Sequence, residues 1–374
     1  MTTRYKLVIA VITTLALLSI GVYLQGRSGA PRNAASSTIG VILPLTGEAA
    51  SYGEDCRRGL ELAMESLPLP TRQTVKLVFE DSKADPKTAV SAFNKLANID
   101  KVVAVVGDMF SSTTLAIAPL AQQAHILLLS PTAADEKIPA TGDYVFSIYP
   151  PAPWEGKFMA SRMEAAELEN VVVLYQNQAA AVSIAESFAA TVKARGGKVA
   201  LMDSITEDKS GYRSLIDKTA AIHPSAIYIS AYKDPVAQLV MLGREAGLNV
   251  RYVTQSSLFD EKVLADYSGK LEGVVLSGPF FDAASKQVAI ADFSAKYQAK
   301  FGKPPSVWAA YGYDAVNMVV YALDRAQKEG GAPKDKLPNQ VFNGLTGKTT
   351  IRADRSVDKE MIVYIVQNNR FVAK

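Results

Sequence analysis

The sequence predicts an α/β protein with parallel sheets covered on both faces, folded as two lobes. Three observations carry this. Strand-length runs that are apolar throughout alternate with amphipathic helices, the pattern of sheets buried on both sides. The alternation restarts after a proline-rich stretch, "YPPAPWEGKF" at 149–158. At 374 residues the chain also exceeds what one hydrophobic core usually covers.

In chain order, 41–43 is a short buried strand, 52–67 an amphipathic helix after a glycine-containing loop, and 75–80 a second strand. Over 86–98, Ala89, Phe93, Leu96 and Ala97 share one helical face at spacings of 4, 3 and 1. A third strand at 102–106, a helix at 113–123 and a fourth strand at 126–129 complete the first half. The second half runs helix 154–168, strand 171–174, helix 182–195 ending at Gly196-Gly197, and strand 199–203. Segments 212–222, 226–229, 235–246 and 252–254 continue the alternation. A strand at 274–277 is followed by helices over 291–301 and 311–326, and the alternating tail 349–374 reads as a terminal hairpin. Neither half is a sequence repeat of the other, but two such units in tandem place a cleft between them.

Residues 1–6 carry two positive side chains, and 7–24 contain no charge, just enough to span a bilayer and long for a signal-peptide core. Ser28-Gly29-Ala30 has the small-x-small pattern of a cleavage site, but Pro31 directly after the cut disfavours it. With no cysteine near the end of the run, a lipoprotein anchor is excluded. The segment reads as an export signal, cleaved or retained as an N-terminal hydrophobic helix in the membrane. Residues from about 38 onward then lie in the periplasm or its extracytoplasmic equivalent.

Forty basic and 37 acidic residues are interspersed, with a net charge of +3, and no Lys/Arg run suggests a nucleic-acid groove. Cys56 is the only cysteine, which rules out an intramolecular disulfide. With His125 and His223 the only histidines, a His/Cys metal site is not predicted, and no cofactor is implied. His125 reads as structural and His223 as a surface loop residue. No Gly-x-Ser-x-Gly elbow, phosphate loop or Cys/His pair is present, so the chain does not read as an enzyme. The acids of "FEDSKADP", Glu80, Asp81 and Asp85, follow a strand and precede a helix, where Asp85 serves as N-cap.

The informative stretch is "VVGDMFSSTTLAIAPLA". An apolar strand reaches Gly107, four hydroxyl residues follow (Ser111, Ser112, Thr113, Thr114), and then a helix pattern begins. Ligands of open parallel sheets bind at the carboxyl ends of strands, where helix starts offer unpaired N–H groups. One hydroxyl suffices for a cap; the others either compete for it or donate to a carboxylate or similar head. A second apolar strand ends in Ser130, Pro131 and Thr132 within "LLLSPTAADEK", which makes the two tips a polar pocket floor.

With these motifs, "IGVILPLTGEAASYGEDCRRGLELAMESL", "VFEDSKADPKTAVSAFNKL" and "YGYDAVNMV", the chain resembles the periplasmic solute-binding proteins of branched-chain amino acid ABC transporters. The resemblance runs in order and spacing over about residues 38–374. It implies the type I periplasmic binding protein fold, two doubly wound parallel-sheet lobes joined by three crossovers. Lobe 1 would hold 38–149 with 279–356, and lobe 2 would hold 150–278 with 357–374. Residues 1–37 would be the signal or anchor segment and linker.

By the same resemblance Ser111, then Ser112, would hold a ligand carboxylate. Thr132 takes the place of an amino-binding carbonyl, and Ala134 stands where the family has a threonine. Tyr52 matches an aromatic at the mouth of lobe 1, and Tyr232 a tyrosine of lobe 2. Two positions depart from the pattern: the family's lobe 2 acid falls at Ser256 and an aromatic falls at Ala180. A buried ammonium without its carboxylate costs about 3–5 kcal/mol, against about 8 kcal/mol for a whole micromolar affinity. The expected ligand is small and polar or carboxylate-bearing: an amino acid or amino-acid-like molecule, an aromatic acid or an amide. An ordinary α-amino acid is disfavoured unless Asp135 substitutes, and an acid or amide with an apolar or aromatic body suits a pocket lined by Trp154. Trp154 is expected either to line the pocket or to plug the hinge; Tyr149 and Phe280 are weaker candidates. The implied function is solute capture by hinge closure, read by an ABC permease, with the chain a monomer. The alternative is a membrane-tethered sensor acting on another envelope protein.

Overall fold

The computed structural model describes residues 37–206 and 208–374. The segment 7–24, expected to be an export signal or anchor, lies outside the described residues; among those described, no helix is long and apolar enough to cross a membrane.

The first sheet contains β1 (Ser37–Leu43), β2 (Val75–Asp81), β3 (Ala104–Gly107), β4 (Leu127–Ser130) and β5 (Val145–Ser147), all parallel, in the order β2-β1-β3-β4-β5. Helices α1 (Ala50–Ser66), α2 (Pro86–Asn98) and α3 (Ser111–Ala124) make the crossovers between its strands. Asp85 caps α2 as expected, its carboxylate accepting from Thr88 N–H at 2.8 Å. The order reverses between β1 and β3, and the crevice at such a switch point is where α/β sheets bind ligands.

From β5 the chain crosses through α4 (Ala152–Arg162) into a second sheet. This contains β6 (Val171–Gln176), β7 (Val199–Ile205), β8 (Ala226–Ser230), β9 (Arg251–Thr254) and β10 (Val275–Pro279), parallel in the order β10-β9-β8-β6-β7. Helices α5 (Ala179–Ala194), α6 (Tyr212–Ile222) and α7 (Lys233–Glu245) connect them, and the order again reverses, between β6 and β8. The chain then returns to the first lobe as α8 (Val288–Phe301) and α9 (Val307–Glu329). An antiparallel sheet of β11 (Gln340–Gly344), β12 (Gly347–Ile351) and β13 (Val357–Lys359) follows. Finally β14 (Met361–Gln367) and β15 (Arg370–Ala373) extend the second sheet antiparallel to β10.

The single hairpin expected over 349–374 is thus divided. Only β14 and β15 form it, turning at Asn368-Asn369, both in the left-handed region (φ 52° and 56°) that tight hairpins require. The helix expected at 154–168 stops at Arg162, with a separate turn of 3-10 helix at Ala165–Leu168. Both histidines sit in the left-handed residue that closes a helix, His125 after α3 and His223 after α6.

Helix α9 belongs to the first lobe because it packs on α1 through two glycines. A Cβ on Gly59 would lie 1.8 Å from the Ala309 carbonyl oxygen, and one on Gly312 would lie 2.3 Å from that of Cys56. Gly59→Ala must separate the helices, and chemical denaturation should show a loss of about 1–3 kcal/mol or more. Unchanged stability would contradict this packing.

Candidate functional site

The floor of the interlobe cleft is set by backbone carbonyls that take side-chain hydroxyls as donors. Between β3 and α3, the Asp108 carbonyl accepts from Thr114 Oγ1 at 3.1 Å and Ser130 Oγ at 2.5 Å. The Met109 carbonyl accepts from Thr132 Oγ1 at 2.9 Å, and that of Phe110 from Thr113 Oγ1 at 3.0 Å. Phe110 itself is the N-cap of α3 and offers no side-chain cap. Most of the hydroxyl-rich sequence therefore buckles the tips of β3 and β4 together.

Of the two hydroxyls left over, Ser111 and Ser112, only Ser111 lines the cavity. Its Oγ accepts from the N–H groups of Ala134 and Asp135, each at 3.1 Å. The serine proton remains available for donation, beside the first-turn N–H groups of α3, which have no partner further back in the helix. Ser111 and Thr132 both line one cavity of about 70 Å³ between the lobes. By the usual measure that space holds a handful of water-sized groups.

Of the other expected residues, Tyr52, Ala134, Tyr232 and Ser256 line the same cavity, as do Tyr149 and Ala180. Ser112 does not: it is exposed on the outer side of α3. Trp154 does not either; it is 40% exposed and stacks on Phe158 at 5.4 Å. Phe280 is also absent from the cavity wall. Asp135 does not supply the missing acid, because its carboxylate accepts from Lys137 N–H in its own turn at 2.8 Å.

An acid does line the cavity, from an unexpected position. Glu155, one residue past Trp154 on α4, lines the cavity and is 2% exposed. Its Oε1 accepts from Ser256 N–H at 2.7 Å and from Ser277 Oγ at 2.6 Å. Burial raises its pKa above the usual carboxylate value, only partly offset by these bonds. Gly156 makes the placement possible: a Cβ there would be 2.1 Å from the Ile184 carbonyl oxygen, so α4 lies directly on α5. In the sequence, "WEG" signals aromatic packing more strongly than it signals an acid. A step of one residue along a helix turns the side chain by about 100°, and that step decides which of the two faces the cleft.

Direct contacts span the cleft. Tyr52 OH donates to the Ser257 carbonyl at 2.8 Å, and Trp308 Nε1–H to that of Phe259 at 2.8 Å. Ser51 Oγ lies 2.8 Å from Asp260 Oδ2 and 2.6 Å from Lys233 Nζ, while Lys233 and Asp260 are themselves paired at 2.6 Å. Burial alone would raise the Asp260 carboxyl, but its bond and attraction to Lys233, with further bonds, hold it below the usual range. Tyr149 OH and Ser256 Oγ are hydrogen-bonded, and Phe110 packs edge-on against Tyr232 at 5.3 Å. Among the described residues no group of three or more His, Cys, Asp or Glu side chains is placed to hold a metal ion.

The sequence profile of the periplasmic binding protein family matches residues 36–370. A leucine-, isoleucine-, valine-, threonine- and alanine-binding protein of Pseudomonas aeruginosa is 26% identical over 304 residues, which cover 78% of this chain and 79% of the relative. Among solved structures, the branched-chain amino acid transporter substrate-binding protein of Streptococcus pneumoniae, in complex with isoleucine, superposes with a TM-score of 0.82 at 23% identity. That match covers 91% of this chain and 99% of the other. A solute-binding protein of an ABC transporter from R. palustris, in complex with 4-hydroxybenzoate, has a TM-score of 0.83 at 16% identity, covering 90% and 95% of the two chains.

Beneath the floor, burial pushes Asp108 up to about 6, and its Oδ2 has no hydrogen-bond partner among the described residues. Because the folded protein then holds this proton more tightly than the unfolded chain, stability falls as pH rises from about 4 to about 6. Asp108→Asn should therefore be more stable than wild type above pH 6, by on the order of 1–3 kcal/mol, with the gap closing below about pH 4. Thermal melting across that range checks it.

Proposed function

The chain belongs to the periplasmic binding protein family, and on that premise we propose that it is the extracytoplasmic solute-binding component of an ABC transporter. It captures a small polar or carboxylate-bearing molecule between two lobes and acts by binding, not by chemistry. The observation that carries this reading is the cavity enclosed where the switch points of both sheets meet, floored by Ser111 and Thr132 and covered by Tyr232 and Ser256.

The bodies that close are 38–149 with 279–356 and 150–278 with 357–374, a division supported by the way the sheets share out the chain. Ligand docks on the first body, where the free hydroxyl of Ser111 and the start of α3 donate to a carboxylate. The second body then swings over it. A ligand shifts such an equilibrium only by its differential affinity for the two states. The Tyr52–Ser257 bond and the Ser51–Lys233–Asp260 cluster need no ligand, so they bias the chain toward closure before the solute contributes. The closed face is what a membrane permease would read.

The reading is tested by a thermal-shift screen of the purified chain against amino acids, aromatic acids, short amides and polyols. A saturable shift from at least one of them is expected. Ser111→Ala should cut that ligand's affinity by ~10-fold or more, while the exposed neighbour Ser112→Ala leaves it intact. Equal loss in both variants, or in neither, would remove Ser111 from the site. The unliganded Ser111→Ala protein should also melt earlier, because the N–H groups of Ala134 and Asp135 lose their acceptor.

A further inference from the structure

The cavity wall is chemically lopsided. On the first lobe it presents donors: the Ser111 hydroxyl and the start of α3. On the other side it presents Glu155, an acceptor whose two hydrogen bonds among the described residues both fall on Oε1. No Lys, Arg or His lines the cavity to balance that carboxylate. The titratable groups around it are the phenols of Tyr149, Tyr228 and Tyr311, all buried and held neutral well above their ordinary pKa. Buried carboxylates are normally paired with a cation or with a full set of donors. Here the protein provides neutral donors from Ser256 and Ser277 and no cation.

We propose that Glu155 is the receptor for a cationic nitrogen of the ligand, so that the pocket selects small zwitterions, an ammonium near a carboxylate, over the corresponding simple acids. This rests on the solute-capture reading of the cavity and narrows it. It also reverses the expectation drawn from Ser256. The acid missing at that position is replaced from another element, since Glu155 reaches the Ser256 backbone N–H across 101 residues of chain. A simple acid would place its carboxylate among the donors and leave Glu155 uncompensated, with water excluded. A zwitterion satisfies both walls at once. Because Glu155 sits on the helix entered from the first crossover and also binds Ser277, just before the second, the charge it senses is next to the hinge.

The test uses ligand pairs that differ only in the amine: leucine against 4-methylpentanoate, and phenylalanine against 3-phenylpropionate, with 4-hydroxybenzoate as a rigid acid. Calorimetric titration of the purified full chain should detect binding by the amine-bearing member of a pair and at least 100-fold weaker binding by its partner. Glu155→Gln should reduce amine affinity by about 100-fold or more. Glutamine keeps an Oε1 acceptor for Ser256 N–H and Ser277 Oγ, so unliganded melting at neutral pH should stay at or above wild type. Should that variant fail to fold, the wild-type pairs decide alone. Acids binding as tightly as their amine partners, or full amine affinity in Glu155→Gln, would overturn the role of Glu155 and leave solute capture standing. No binding by any member would overturn the amine selectivity assigned to Glu155, and equal silence from amides and polyols would overturn solute capture as well.

Discussion

Buried carbonyls must find donors, and the loop between β3 and α3 has two, those of Asp108 and Met109, that take theirs from side-chain hydroxyls. The hydroxyls of Thr114, Ser130 and Thr132 serve them, while Thr113 adds a second donor to the Phe110 carbonyl that α3 already pairs. The first lobe's side of the site follows from that constraint. It draws the tips of β3 and β4 into one floor, orients the start of α3 toward the cleft, and leaves Ser111 with a proton to offer. Removing the Thr132 hydroxyl would strand the Met109 carbonyl at a typical cost of about 1–3 kcal/mol.

Both lobes solve the same topological problem. In each, the strand order reverses beside the first strand of the unit, at β1/β3 and at β6/β8, and the opened crevices face one another. The first lobe supplies Tyr52, Phe110 and Ser111; the second supplies Tyr232, Gln255 and Ser256. The hinge adds two more groups, Tyr149 and Glu155, bonded to the same serine, Ser256. The crossover and the cavity wall thus share a residue.

The hinge also holds a second buried polar cluster. Lys359, at the third crossing, donates to Thr346 and Thr349 and lies 4.8 Å from the centre of the Tyr311 ring. Burial lowers it to about 8, with the attraction of Asp314 acting against that. Asp314 in turn accepts from the N–H groups of Leu345 and Thr346. The cluster ties α9 to the small antiparallel sheet and so fixes where the last crossing leaves the first lobe.

The alternation of apolar strands with amphipathic helices settled the fold class, and the hydroxyl run with its echo at Ser130–Thr132 located the floor; both are local patterns that adjacent residues carry in themselves. The sequence also placed Tyr52, Tyr232 and Ser256 on the cleft, through a resemblance of motifs. It could not separate Ser111 from Ser112, or Glu155 from Trp154, because neighbours on a helix differ only in the face they present, and that face is chosen by what the helix packs against. Gly156 against Ile184 makes that choice for α4. The division of the tail between two sheets and the pairing of Glu155 with Ser256 were likewise decided only by the tertiary structure. Contacts between residues a hundred positions apart leave no periodicity in the chain, and only the packed lobes bring them together.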